Sequence, residues 1–173
     1  VVDNYELLME PFEPGPGVTL PVGGYRFRDV QAIYRAGAQR RLSGTFAVRV
    51  GEYFSGRIRS ISVSRGRLVL TPQLYVEPTV SVNWIDTPQG AFRTDLVVSR
   101  VTYTFTPRMF FSGFLQYNSS TNSLNSNLRL RWEYQPGSEL FVVYNDVRDT
   151  ELRSTPLLQN RAVIIKFTTL LRV

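Results

Sequence analysis

From Asn127 to Tyr134 the chain alternates without interruption. Asn127, Arg129, Arg131 and Glu133 share one phase, and Leu128, Leu130, Trp132 and Tyr134 the other. A period of two marks a strand with unlike faces. The run stops at Gln135-Pro136-Gly137-Ser138, which is turn chemistry, and alternation resumes beyond it. The pattern recurs along the chain, and almost no stretch carries the 3.6-residue period of a helix. It predicts nine strands, at Tyr25–Gly37, Arg40–Tyr53, Arg57–Thr71, Leu74–Ile85, Ala91–Phe105, Met109–Asn118, Asn125–Gln135, Glu139–Asp146 and Arg161–Val173. Several exceed ten residues. Soluble strands average about five or six, whereas a tilted strand needs about nine to eleven to cross a bilayer.

The connections predict the same environment. One set is short: Gly37–Arg40, Thr71–Gln73, Thr106–Arg108 and Gln135–Ser138. The other is longer and more polar: "GEYFSG", "DTPQGA", "NSSTNSLN" and "VRDTELRSTPLLQN". Short turns at one end and long loops at the other describe an outer-membrane barrel, with the short turns periplasmic. The aromatic residues fit this scheme. On the apolar phases Trp84, Tyr117 and Tyr144 fall near the long-loop ends, and Tyr103, Phe105, Phe111, Trp132 and Tyr134 near the short-turn ends. Between them lie Val80, Val82, Val97, Val101, Leu115, Leu128, Leu130, Val142, Val163 and Ile165. Two aromatic belts around an aliphatic band match the girdles of membrane barrels. Leu128 and Leu130 are therefore expected to face lipid. Glu77, Asn83, Arg93, Asp95, Arg100, Asn127, Arg129, Arg131, Glu133 and Lys166 are expected to face the interior, pairing across strands to fill it rather than tuning a pore.

A one-residue slip would turn arginines toward lipid, at about 2–4 kcal/mol each near the bilayer midplane. Arg57–Thr71 fits this rule poorly, because Arg57, Arg59, Arg65 and Arg67 share the phase of Ile61 and Val63. Either a bulge near Gly66 changes the phase, or the outer part of this strand stands above the membrane.

Composition narrows the reading further. The 173 residues suit one domain, and are 43% hydrophobic and 13% aromatic. No apolar run approaches the roughly 20 residues of a spanning helix. The opening "VVDNYELLME" lacks a basic start and an apolar stretch, so it reads as a mature chain or a fragment rather than a signal peptide. The formal net charge is +6, and Lys166 is the only lysine. The arginines are spread along the strands rather than clustered, so no nucleic-acid partner is expected. Cysteine and histidine are absent, which excludes disulfides, thiolate metal sites and histidine-dependent catalysis within this chain. No catalytic residue, metal ligand or cofactor is expected, and the chain is not read as an enzyme. Asp146, Asp149 and Glu151, interleaved with Arg148 and Arg153, read as a solvated extracellular loop.

With these residues in view, the chain resembles the C-terminal end of a family of large bacterial proteins. Their N-terminal domain is similar to carbohydrate-binding family 9, and their C-terminal domain, of unknown function, is read as an outer-membrane β-barrel. The matching segments are "EPFEPGPGVTLPVGGYRF", "RRLSGTFAVRVGEYFSGRIRSISVS", "VTYTFTPRMFFSGFLQYNSSTNSLNSNLRLRWEYQPGSELFVVYNDVRD" and "RAVIIKFTTLLRV". The resemblance implies a barrel without an assigned ligand. It leaves any carbohydrate partner to a domain absent from this chain. One departure is the ending "KFTTLLRV", with Phe167 and Leu171 in phase but Val173 last, where such barrels usually end on an aromatic residue.

The expectation is an all-β, antiparallel up-and-down transmembrane β-barrel, of which residues 1–173 form the single domain or the C-terminal portion of about nine strands. It would lie in the bacterial outer membrane, with long loops extracellular and the C-terminus periplasmic, in a structural or transport role. Outer-membrane lipid is the expected partner. Single-chain barrels usually have an even strand number. A further strand from upstream sequence or another chain is therefore expected, with residues 1–24 an extracellular loop carrying the end of that strand. The alternative is a soluble β-barrel or sandwich that stacks a small ligand or carbohydrate on Trp84, Trp132 and the tyrosines.

Overall fold

The computed structural model describes residues 1–151 and 156–170. It contains β1 (Val2–Leu8), β2 (Phe12–Gly15), β3 (Val18–Leu20), β4 (Gly23–Ala36), β5 (Leu42–Tyr53) and β6 (Gly56–Thr71). These are followed by β7 (Leu74–Thr87), β8 (Gly90–Thr106), β9 (Met109–Asn118), β10 (Ser123–Gln135), β11 (Ser138–Asp149) and β12 (Leu157–Thr168). Ten strands form one antiparallel meander in the order β1-β4-β5-β6-β7-β8-β9-β10-β11-β12, and β2 and β3 pair with each other apart from it. The fold is all-β, as the period of two predicts.

The nine predicted strands correspond to β4–β12. The last differs most: β12 begins at Leu157, four residues before the predicted start, because Leu157 and Leu158 pair with Asp149 and Arg148 beyond a bulge at Val147/Arg148. The end of the predicted strand, with Leu171 and Val173, lies outside the described residues. The weakly alternating N-terminal segment is a strand: β1 pairs with β4 from Val2↔Asp29 to Leu8↔Gly23. The rest of residues 1–24, expected as a loop, holds the β2–β3 hairpin.

Loop lengths depart from expectation. "GEYFSG" and "DTPQGA" collapse to the turns Phe54–Ser55 and Pro88–Gln89, because the flanking strands continue to Tyr53, Gly56, Thr87 and Gly90. The longest connections, residues 9–22 with the hairpin and residues 150–156, do lie at the expected long end, but residues 119–122 are no longer than the opposite connection at 37–41. Phe54 adopts a left-handed φ of 51°, which is strained for a non-glycine residue. Its ring meets Tyr53, Tyr25 and Phe27 at centroid distances of 4.8, 5.2 and 5.2 Å, and this packing opposes the strain. At the other end the turns are chemically simple. Thr71 Oγ1 accepts from the N–H groups of Gln73 and Leu74 at 3.3 and 3.0 Å. Thr106 Oγ1 accepts from Arg108 N–H at 3.3 Å. Gly137, after Pro136, takes the positive φ of 79° that a proline-glycine turn requires.

Registers show which residues share a face, since directly opposed residues do. From Val30 through Val50, Val48, Ile61, Val82, Val80, Val97, Leu115, Leu128, Val142 and Ile165, one face is apolar across the sheet. It is also open: Val163 and Ile165 are 61% and 67% exposed, and Val48, Val50, Ile61, Leu115 and Leu128 are exposed too. The small buried cluster of Leu8, Leu20, Phe27 and Phe54 sits elsewhere. Its Phe27 shares the opposite, polar face with Asp29 and Arg49. A soluble sheet buries its apolar face; this sheet presents it.

The bulge reading of β6 holds. Pairing with β7 runs in register to Val63↔Val80, breaks, and resumes at Leu68↔Val76, with Arg65 at a φ of 51°. The break changes parity. Before it Arg57, Arg59, Ile61 and Val63 lie on the apolar face; after it Leu68 does, and Arg67 turns to the polar face over the Tyr75 ring at 4.7 Å. Close backbone approach fixes the site. A Cβ on Gly44 would lie 2.9 Å from Gly66 Cα, and a Cβ on Gly66 would collide with the Pro78 carbonyl oxygen.

Candidate functional site

The polar face is the chemically rich one, and two structures define it. The first is a charged field over β7–β12. Glu77 faces Arg100, which faces Phe114, then Asn127 and Asn145. Arg129, Arg131 and Glu133 follow on β10, and Lys166 stands opposite Phe141 on β12. Arg131 makes a bidentate pair with Glu139, its Nε donating to Oε2 at 3.0 Å and its Nη2 to Oε1. Arg129 Nε donates to Asn127 Oδ1 at 2.7 Å, and Asn127 Nδ2 donates to Asn145 Oδ1. Arg100 lies 6.0 Å from the Phe114 ring centroid. Among the described residues, Arg100, Arg129 and Lys166 have no carboxylate partner. A groove of about 610 Å³ opens between Arg100 and Arg129, lined also by Ser112, Phe114 and Asn127.

The second structure is the β2–β3 hairpin, which packs across one end of the same face. Leu20 and Val18 are 0% and 2% exposed. Gly15 lies against the Phe92 ring, where a Cβ would collide, and Val18 Cγ2 would sit 3.1 Å from a Cβ on Gly90. Phe92 is two residues from Thr94, which faces Asn83 on the polar side, so the hairpin reaches from the β1–β4 edge to β8 over that face. Beneath it, Asp29 accepts from Arg49 Nη2 at 2.6 Å and from Asn4 Nδ2 at 3.1 Å. Asp29 is buried, and a buried carboxylate needs such partners.

Of the ten residues expected on one polar face, Glu77, Asn83, Arg100, Asn127, Arg129, Arg131, Glu133 and Lys166 share it. Arg93 and Asp95 do not. Arg93 faces Trp84 and Asp95 faces Val82 in an unbroken register, so both lie on the apolar face. Parity alone places them there, since they share the odd phase of Val97 and Val101. All eight expected belt aromatics lie on the apolar face. Trp84, Tyr103, Phe111, Tyr117, Trp132 and Tyr144 are placed by register. Phe105 follows Tyr103 by two, and Tyr134 stacks on Phe167 at 5.3 Å. Residues missed by the sequence reading are Arg67, Glu139, Asn145, Asp29 and Arg49. Glu139 and Asn145 could have been found from strand pairing through the Pro136–Gly137 turn.

Of the acidic residues expected in a solvated loop, Glu151 is exposed and Asp149 half-buried at the end of β11, but Asp146 departs from the expectation. Asp146 belongs to β11 and is buried, accepting from Arg148 Nε at 2.6 Å, Arg161 Nη2 at 3.0 Å and Tyr144 Oη at 2.9 Å. Asp149 accepts from the Glu151 N–H at 2.8 Å. Arg153 lies outside the described residues.

No family model matches the chain, and no curated protein matches it. Among solved structures, one similar to it is "KdgM porin in complex with disordered oligogalacturonate", with 15% sequence identity and a TM-score of 0.35 over 84% of this chain and 81% of that one. A likeness this distant leaves function to the chain's own geometry.

Proposed function

We propose that this chain is a segment of an outer-membrane β-barrel, with the apolar face toward lipid and the polar face lining a passage for small polar solutes. The observation that carries the reading is the inverted distribution of the sheet. An open band of Val, Ile, Leu and aromatic side chains crosses one face of the ten strands, with charges only at its rim, while the charged field and the buried cluster occupy the other. In water such a band would be a binding or aggregation surface; in a bilayer it is the required lipid contact. The soluble, ligand-stacking alternative is disfavoured because Trp84 and Trp132 belong to this open band rather than to an enclosed site. The hairpin narrows one end of the passage, and Arg100 and Arg129, without carboxylate partners, favour anionic solutes. We place the hairpin end outside and the Pro72, Pro107 and Pro136 turns in the periplasm.

The test is fluorescence of Trp84 and Trp132 in phosphatidylcholine vesicles carrying brominated acyl chains. Lipid-facing tryptophans are quenched. Unquenched emission, with the protein remaining dispersed after detergent removal, overturns the reading.

A further inference from the structure

The apolar face ends, at the hairpin end, in a rim of charges. Most of its arginines are neutralised within the protein: Arg28 by Asp3 at 2.7 Å, Arg93 by Asp95 at 2.8 Å, and Arg148 and Arg161 by Asp146 at 2.6 and 3.0 Å. Arg26 on β4 also has no carboxylate partner among the described residues, but it lies outside the grooves described next, which Arg57 and Arg59 line. Both are exposed on the apolar face of β6, opposite Asp86 and Trp84, and neither has a carboxylate partner among the described residues. Glu52 is opposite Arg57 on the other side, but its Oε2 accepts from the Arg28 N–H at 2.9 Å.

These arginines border a groove of about 470 Å³ shared with Trp84, Asp86 and Arg93. Arg93 lies 5.4 Å from the Trp84 ring centroid, holding a third guanidinium beside the other two. A second groove, of about 460 Å³, continues from it, sharing Arg59 and Trp84; Val48, Val50 and Ile61 line it on the apolar face, and Arg49 and Ser60 complete the lining. A cationic cup thus opens into a mainly apolar groove, with an amphipathic indole at the junction. Guanidinium forks match phosphate oxygens, and a channel of valine and isoleucine matches an acyl chain.

We propose that Arg57, Arg59 and Arg93 hold the phosphate of a membrane lipid, whose acyl chain lies along Val48, Val50 and Ile61 with Trp84 at the boundary. The site rests on the membrane reading above and assigns that membrane's lipid a specific seat. It explains why two arginines on a lipid-facing strand are left unneutralised. The cost of such a charge falls to about 0–1 kcal/mol near the interface, and a bound phosphate would supply the missing counter-charge. Asp86, on the groove wall, selects against headgroups that crowd a second anion against it.

The experiment uses the whole chain carrying Trp132→Phe, which leaves Trp84 as the single tryptophan, in phosphatidylcholine vesicles. Phosphatidic acid is titrated in, with diacylglycerol of the same chains and inorganic phosphate as separate arms. Saturable change in Trp84 emission with phosphatidic acid alone is the expected result. Adding Arg57→Gln, Arg59→Gln and Arg93→Gln should weaken it at least about tenfold, whereas the triple lysine variant, which keeps the charge but not the guanidinium fork, should fall between the parent and the glutamine variant. Saturation by inorganic phosphate at equal concentration would make this a free-anion site and overturn the lipid assignment. An unchanged titration in the glutamine variant would also overturn it. Brominated phosphatidylcholine gives the control: quenched Trp84 without a phosphatidic acid response rejects this site alone, while unquenched Trp84 rejects the membrane reading beneath it.

Discussion

Neighbouring residues of β10 live in opposite solvents. Leu128 faces Gly113 and Tyr144, whereas Arg129 faces Ser112 and Val143. Introducing arginine on the two faces should therefore have unequal cost. Leu128→Arg is expected to destabilise the protein by about 2–4 kcal/mol, since it sits mid-band. Ser112→Arg on the polar face should cost less than about 1 kcal/mol, the ordinary scale for a tolerated change. Urea unfolding in vesicles measures both, and equal losses would contradict the assigned faces. Gly66 makes a different demand. Its missing Cβ lets the bulge approach Pro78, so Gly66→Ala should cost about 1–3 kcal/mol through backbone displacement. The same change at Gly113, whose Cβ would meet only side-chain atoms at 3.4 Å or more, should be milder.

At the level of elements, the hairpin is the piece held least by the sheet. It has no ladder to the ten strands, and depends on Val18, Leu20 and the aromatic cluster around Phe54. Leu20→Ala should lower its docking stability by about 2–5 kcal/mol, and Gly15→Leu should push it off Phe92. Both should raise single-channel conductance in planar bilayers while leaving the ten-strand sheet intact by circular dichroism. Unchanged conductance would show that the hairpin does not narrow the passage. The charged field is the second functional element. Arg100→Gln together with Arg129→Gln should reduce anion over cation preference, read as a shift in reversal potential under a salt gradient. Arg131→Gln should instead leave stability nearly unchanged, because its pair with Glu139 is exposed and such pairs contribute little.

On the scale of the whole molecule, the sheet has two terminal strands. β1 and β12 stand at opposite ends of the strand order, and no pairing joins them among the described residues. An unpaired backbone edge in hydrocarbon costs several kcal/mol per group, so each edge should be covered by another strand. We expect those strands to come from further sequence or a second chain. The lack of native cysteine makes this simple to test with Asn4→Cys and Ala162→Cys in one chain. Oxidation should give no intramolecular bridge; an efficient bridge would mean that β1 and β12 close the barrel themselves.

Much of this was written in the order of side chains. Alternation set the two faces, threonine-proline and proline-glycine pairs set the turns, and the aromatic positions fell on the apolar face, because a strand's period and a turn's dihedral demands are local. Parity also sets Arg93 and Asp95 with Val97, although their charge suggests the polar face. Other features needed the tertiary structure. Whether β6 shifts phase at Gly66 depends on its neighbours Gly44 and Pro78. Whether Pro11–Gly24 is a loose loop or a docked hairpin depends on Phe92, far along the chain. Asp146 is buried because Arg148 and Arg161 reach it from two strands. The spare arginines of β6 are visible only when strand pairing brings Trp84 and Arg93 beside them. Local periodicity fixes which way a side chain points; only the assembled sheet decides what it meets there.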